Sequence, residues 1–485
     1  MERAGGYRRQ HYNVTLAALT LAASFYALQQ TMVIPALPAL QRDLHTSTAW
    51  VTWLLTGFLL VASVAAPVLG KLGDQYGKER LLLISLVVFL VACVGAIFAW
   101  NIWSMILCRT VAGVGGAVFP LSFSIINDEF PEEKVGMGIG MVSSVFAAGG
   151  ALGLVASGLI VDNTSWRWLF VVGSLGVAVA VVLVYLFVPE SPVKTETRVD
   201  YLGAVLLSLG LISLLLALTE GEGWGWMSGR ILGLFAAAFL FLVAWGVAEL
   251  RVPEPMVDMR MLAKRPVLFA NLTGLIAGFG MFGAFILVPN FVESPRGLPA
   301  SLAHLVHYGF GASATKAGLY LLPGALIGFA SGPAAGFLAR RYGSKLPLVL
   351  GLVLAAGGLG MLAEFHAHPW QIVVSTALLV GGLPFTFAAM ANIVVASVRP
   401  GETGIATGMN AVMRTVGGVV GGQVSAAILT ADRIARTPLP NESAFTTAFW
   451  VGAAGVAVAA FIALHVTPLR LRRQPQPAAR LERDT

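Results

Sequence analysis

Apolar residues in this chain come in long unbroken blocks, not in strand-like alternation. The blocks run over 14–34, 50–70, 81–100, 103–127, 137–161, 168–188, 202–219, 230–249, 267–292, 315–338, 346–364, 370–397, 404–430 and 445–466. A helix needs about 20 mostly apolar residues to cross the hydrocarbon core of a bilayer. Apolar character on every face means that the helix meets lipid or other helices and no water. The pattern predicts an all-α polytopic membrane protein with about fourteen transmembrane helices. Arg3, Arg8 and Arg9 precede the first block, which is long enough to span and has no small-residue cleavage site, so it is expected to stay attached as the first helix.

Composition strengthens this picture. Of 485 residues, 57% are hydrophobic and 11% charged, against about 25% charged in a soluble globular protein. The net charge of +7 would suggest a nucleic-acid partner in a soluble chain. Here the basic residues sit in short loops between blocks, so they set topology, and no nucleic acid is expected. With the N-terminus inside, 22 lysines and arginines fall on the cytoplasmic side and 7 outside, leaving Arg109 and Arg414 within helices. That asymmetry predicts both termini in the cytoplasm. Trp50, Trp53, Trp100, Trp103, Trp166, Trp168, Trp224, Trp226 and Trp370 all border loops placed outside, where indoles favour the membrane boundary. Short loops and strong basic asymmetry fit a bacterial inner membrane.

The chain also repeats itself. Gly70, Leu72, Tyr76 and Gly77 match Gly336, Leu338, Tyr342 and Gly343 at an offset of 266. Gly136, Gly140, Met141, Gly149, Gly150, Gly153 and Ser157 match Gly404, Gly408, Met409, Gly417, Gly418, Gly421 and Ser425 at an offset of 268. Two six-helix bundles in parallel pseudo-repeat, 14–188 and 267–466, explain both offsets. A cytoplasmic N-terminus, 1–13, precedes them. The linker 189–266 carries two inserted helices, about 202–219 and 230–249, without counterparts. A basic tail, 467–485, is expected to touch anionic lipid. Bundles repeated about an axis along the membrane normal suggest alternating access around a central site.

At GKLGDQYGKER (70–80) the chain resembles the major facilitator superfamily, and within it the 14-helix drug:proton antiporter branch. The stretch fits the signature loop after that family's second helix, with both glycines, the acid and the basic residues at the right spacing. The resemblance implies a conformational latch of Gly70, Asp74, Gly77, Lys78 and Arg80 with Asp128 or Glu129. Arg109 in LCRTVAGVGGA matches the fourth-helix R-x-x-x-G pattern, with Ala112 where the family usually has glutamine. Gly149, Gly153 and Gly158 resemble the fifth-helix antiporter motif, although Leu154 replaces its proline and Ser157 a glycine. Asn410, Arg414, Gly417, Gly418 and Gly421 look like the branch's N-x-x-x-R-x-x-G-G segment. Small residues at such spacings let helices approach and bend.

One departure bears on substrate. The branch carries an aspartate late in the first helix, and here Gln29 stands in that place. No acid lies deep in any block, whereas Arg109 and Arg414 do, and charges at that depth are costly and functional. A cavity with only cationic charge favours neutral or anionic amphipaths over dications, and a Gln29→Asp change should improve handling of monovalent cations. Polar and aromatic residues within the blocks nominate a cavity wall of Gln29, Gln30, Thr31, Asn271, Phe279, Phe282, Asn392, Asn410 and Gln423.

The expected function is therefore secondary-active export of small amphipathic compounds, with protons as the coupling ion that the resemblance implies. The alternative is a carrier of lipid or anionic metabolites not coupled through an intramembrane carboxylate. A receptor or lipid-modifying enzyme is disfavoured by the repeat and the latch motif, and no nucleophile–base constellation points to an enzyme. No cofactor is implied. Cys93 and Cys108 lie in apolar blocks and are expected to pack as free thiols. The loop histidines His304, His307, His366 and His368 lack a supporting ligand set for a metal. The stretch SLAHLVHYGF (301–310) is expected to form a short interfacial helix.

Overall fold

The computed structural model describes residues 12–191, 200–295, 306–399, 401–434 and 439–466. Among these residues every named element is helical. The first portion comprises α1 (Tyr12–Thr31), a short α2 (Leu37–Asp43), α3 (Thr48–Tyr76), α4 (Lys78–Ile97), α5 (Ile102–Ala112), α6 (Val118–Glu129), α7 (Glu132–Asn163) and α8 (Arg167–Phe187). Then come α9 (Tyr201–Trp224), α10 (Gly229–Arg251) and a single turn, α11 (Met259–Leu262). The last portion is α12 (Arg265–Glu293), α13 (Ala314–Tyr342), α14 (Lys345–Glu364), α15 (Pro369–Ser397), α16 (Thr403–Ala431) and α17 (Glu442–Ala463).

Counting α5 and α6 as one span, thirteen of these helices are long and apolar enough to cross a membrane. The additional one is α1, whose 20 residues include Asn13, Gln29, Gln30 and three threonines and so fall short on composition. It nonetheless packs between α7 and α8 as a member of the bundle. The fourth block is not one α-helix. Residues Gly113–Ala117 tighten into a 3₁₀ turn between α5 and α6. Here Gly113 and Gly116 lie against the backbone of α3, and a Cβ on Gly113 would stand 2.5 Å from the Phe58 carbonyl oxygen.

Side chains at the ends of the blocks stop and start the helices. Ser47, Ser228 and Ser313 accept from the backbone N–H three residues on, and Asn101 with Ser104 makes a reciprocal cap. Gly77 and Gly343, equivalent in the repeat, both break the chain at positive φ, 121° and 86°, a conformation that favours glycine. Trp50, Trp100, Trp103, Trp168 and Trp370 are exposed at span ends. Trp166 is not: it is buried, and its indole N–H donates to Asp43 Oδ2 at 2.9 Å.

Within the first portion α1 packs on α7 and α8, and α3 on α5. In the last, α12 packs on α16 and α17, and α14 on α15 and α17. The two portions meet chiefly where α7 lies along α13 and where α3 meets α16. The helix α10 packs mainly on α9, which in turn touches α3 and α16. Buried Glu249 ties the end of this pair to the following loop, accepting from the Trp245 indole at 2.8 Å and the Val257 amide at 3.0 Å. Residues 306–313 are not helical, and the rest of the expected interfacial helix lies outside the described residues.

Candidate functional site

The turn at Gly77 places Asp74 at the end of α3, facing the first turn of α16. Its Oδ2 accepts from the backbone N–H groups of Gly404 at 3.0 Å and Ile405 at 3.3 Å, and Ser124 donates to Oδ1 at 3.1 Å. A carboxylate here satisfies donors that an α-helix start leaves unpaired, and it complements the positive end of the helix dipole. Lys78 lies 3.6 Å from Asp74 Oδ1 and also pairs with Asp128, which accepts from the Ser191 hydroxyl at 2.6 Å. All three charged side chains are essentially buried. One end of the molecule is thereby clasped shut; we call it the latch face.

Of the other nominated latch residues, Gly70 touches the Gly404 backbone with no room for a side chain. Gly77 forms the turn, and its space is taken by Glu190. Arg80 is exposed and takes part through its backbone N–H, which donates to Glu190 at 3.4 Å, so its guanidinium is not in the cluster. Glu129 is half-buried one residue beyond Asp128.

The repeat recurs in these contacts. Gly70 meets Gly404, and their counterparts Gly336 and Gly136 meet each other where α13 crosses α7. Among the described residues the second interface has no buried carboxylate. Arg340 stands in the place of Asp74, forming an exposed pair with Glu133 at 3.8 Å. The nominated bending glycines lie within two uninterrupted helices, α7 and α16, and serve as seats for neighbouring helices. Gly149 and Gly153 receive α1 at Ala27 and Leu28, Gly158 receives α13 at Thr315, and Gly417, Gly418 and Gly421 receive α12 at Leu275, Phe282 and Phe279.

Beyond the latch, α3 and α16 diverge around a cavity of about 290 Å³ in the half of the molecule away from it. Gln30, Thr31, Phe282 and Gln423 line it as the sequence suggested, together with Leu55, Phe285, Ile286 and Thr219 of the inserted α9. Below it a smaller recess reaches Tyr26, Phe119, Phe146 and Arg414, sharing Gln30, Leu59 and Thr415 with the main cavity. Asn410 lines a third, much smaller space that also touches Arg414.

The remaining nominated wall residues point elsewhere. Gln29 is fully buried against α8 over Gly173, donating to the Leu169 carbonyl at 2.9 Å. Asn271 accepts from Asn410 at 3.0 Å. Phe279 packs between Gly421 and Gly455, and Asn392 is buried near Gly136. Arg109 lines neither the cavity nor its recess. It donates to the backbone carbonyls of Gln29 and Leu54, at 3.3 and 3.4 Å, and lies 4.4 Å from the centre of the Phe58 ring. His366 bridges Glu442 and the Leu362 carbonyl at 2.8 Å each, His368 caps α15, His307 is exposed and His304 lies outside the described residues. Both cysteines are free. What sequence reasoning missed is the partner of Asp74, a pair of backbone amides, and the cavity role of α9.

A helical membrane protein with repeated bundles, a clasp at one end and a largely apolar cleft at the other has the build of a secondary carrier. The sequence profile of the Major Facilitator Superfamily matches residues 19–422 and 297–483. The chain belongs to that superfamily, whose members are transporters and not enzymes. It is similar to the Tetracenomycin C resistance and export protein of Streptomyces glaucescens, 28% identical over 87% of this chain and 76% of that one. It is similar also to the Multidrug transporter protein MdtP of Bacillus subtilis, 27% identical over 86% and 75% respectively. Among solved structures, the human organic anion transporter MFSD10 superimposes with a TM-score of 0.66 at 14% identity, covering 94% of this chain and all of its own. The proton:xylose symporter XylE gives 0.63 at 14% identity, covering 95% and 97%. At that identity these two structures speak to the fold alone.

Proposed function

We propose that this protein exports small amphipathic compounds by alternating access between the 14–188 and 267–466 bundles. The observation that carries the reading is the opposition of the buried Asp74–Lys78–Asp128 clasp on α16 to the apolar cavity on the other side of the same two helices. With both termini in the cytoplasm, as the basic residues indicate, the latch face is cytoplasmic and the cavity opens outward, a state from which substrate is released. Relatives named for resistance, export and multidrug transport in Streptomyces and Bacillus support this direction, and the short loops with their basic asymmetry support a plasma-membrane location, the bacterial inner membrane.

Protons are the proposed driving ion. Among the described residues no carboxylate lines the cavity or its recess, so coupling runs through the latch acids Asp74 and Asp128, not through an acid that touches substrate. Flux into or out of proteoliposomes, with and without an imposed pH gradient, tests the reading. Outward flux of an amphipathic dye that accelerates with inward proton flow is expected. Flux indifferent to the gradient removes the proton coupling, and absence of flux for every amphipath removes the export.

A further inference from the structure

The two deep arginines look alike in the sequence, but the fold gives them different surroundings. Arg109 sits behind the cavity wall with two of its donors committed to backbone carbonyls and its face on Phe58. Arg414 is 92% buried, faces the recess at the cavity floor, and has its guanidinium carbon 4.4 Å from the Phe146 ring centre and 4.9 Å from that of Phe387. Among the described residues it donates no hydrogen bond and joins no ion pair. The Asn410 side-chain amide, one turn away, is committed to Asn271 and the Ala270 carbonyl.

A guanidinium has two apolar faces and an edge bearing five N–H donors. Phe146 and Phe387, whose ring centres lie 5.6 Å apart, engage the guanidinium from one side through cation–π contact. The edge is left without an acceptor at a depth where an uncompensated charge is costly. That edge matches the two oxygens of a carboxylate, which accept in bidentate fashion. Above it, Leu55, Leu59, Phe282, Phe285 and Ile286 form an apolar shaft. Its volume of about 290 Å³ lies near the lower end of ligand pockets and suits a body of two or three fused rings.

We propose that Arg414 is the anion-binding group of the transport cavity, and that the preferred substrate is a flat aromatic amphipath bearing one carboxylate or ionised phenol. Arg109 is a positioning residue that holds α5 to α1 and α3. The inference rests on the export reading only for the side from which the cavity fills. Binding at Arg414 is measurable without flux.

The test uses the full chain in nanodiscs and three probes of one shape, 2-naphthoate, 2-naphthamide and 2-naphthylmethylammonium, titrated by calorimetry. The parent should bind naphthoate roughly tenfold more tightly than naphthamide, about the effect of one desolvated charge contact, and the ammonium probe most weakly. Arg414→Gln should bring naphthoate down to the naphthamide level without changing naphthamide. Arg414→Lys, which keeps the charge, should retain most of the preference and guards against a Gln variant that fails to fold. A parent that binds amide as tightly as acid, or an Arg414→Gln protein that keeps the acid preference, overturns the assignment. Proteoliposome flux of the same probes separates the two readings. Acid-selective binding with no flux keeps the Arg414 site and rejects export, and flux without acid selectivity does the reverse.

Discussion

Replacing Asp74 with asparagine should open the latch. The change keeps the shape but removes the charge that faces the α16 N-terminus and Lys78. An asparagine can still offer its oxygen to the Gly404 and Ile405 amides, but its NH₂ then faces Lys78 and Ser124, both donors in the parent. The helix-dipole contribution is worth up to about 2 kcal/mol in partly buried geometry. Weakening charge-assisted hydrogen bonds adds about 1–2 kcal/mol more. Lys78 keeps Asp128 as partner, so the full cost of orphaning a buried charge does not arise.

The total of about 3 kcal/mol is a shift of roughly 150-fold in the equilibrium between latched and unlatched states. A latched state populated at about 99:1 would fall to near parity. Double electron–electron resonance between spin labels at Tyr76 and Arg265 reads this directly, since both positions are exposed at the latch face on opposite sides of the interface. The parent should give one short distance and the Asp74→Asn protein a second, longer one of comparable weight. An unchanged single distance would refute the view that this carboxylate holds the two helices together.

Three further outcomes follow from the packing. Gly140→Leu should lower the melting temperature sharply and impair expression, because even a Cβ there would overlap the Gly332 carbonyl of α13; a loss above about 3 kcal/mol fits overpacking at a rigid crossing. Gly404→Ala should mimic Asp74→Asn in the spin-label experiment, since its Cβ would meet the Gly70 carbonyl oxygen at 2.5 Å. Glu249→Ala should cost about 2 kcal/mol by stranding the Trp245 and Val257 donors, and hydrogen exchange should quicken at Val257 while the cavity helices stay protected.

Which parts of this architecture could be read from residues alone follows from where the information resides. The spans were legible because lipid imposes the same demand on every position, so a block of apolar residues suffices. The break at Gly113–Ala117 was not, since a glycine run shows that the chain can bend there but not that α3 approaches closely enough to make it do so. Asp74, Lys78 and Asp128 (or Glu129) were nominated by the family resemblance, and the structure brings Asp74, Lys78 and Asp128 together. Their main acceptor–donor contact escaped notice because backbone N–H groups carry no side-chain signature. The paired glycines at offsets 266 and 268 recorded a duplication. That Gly70 meets Gly404 while Gly336 meets Gly136 belongs to the three-dimensional arrangement of the copies.

Gln29 and Gln30 show the limit most sharply and lead to a decisive substitution. Neighbouring residues on a helix point about 100° apart, and composition cannot tell which faces inward. Gln29 is directed at α8, where its Nε2 donates to Leu169; Gln30 lines both the main cavity and the recess that holds Arg414. An aspartate at 29 would set an acceptor against that carbonyl in a fully buried site, costing several kcal/mol without reaching substrate. An aspartate at 30 would place the missing carboxylate in the cavity, across the floor from Arg414. Gln30→Asp should therefore raise export of a monovalent cationic dye and reduce that of its carboxylate analogue, while Gln29→Asp should mainly lower the yield of folded protein. If the two variants changed dye export alike, or if only the aspartate at 29 conferred cation export, the assignment of the cavity wall to Gln30 would be wrong.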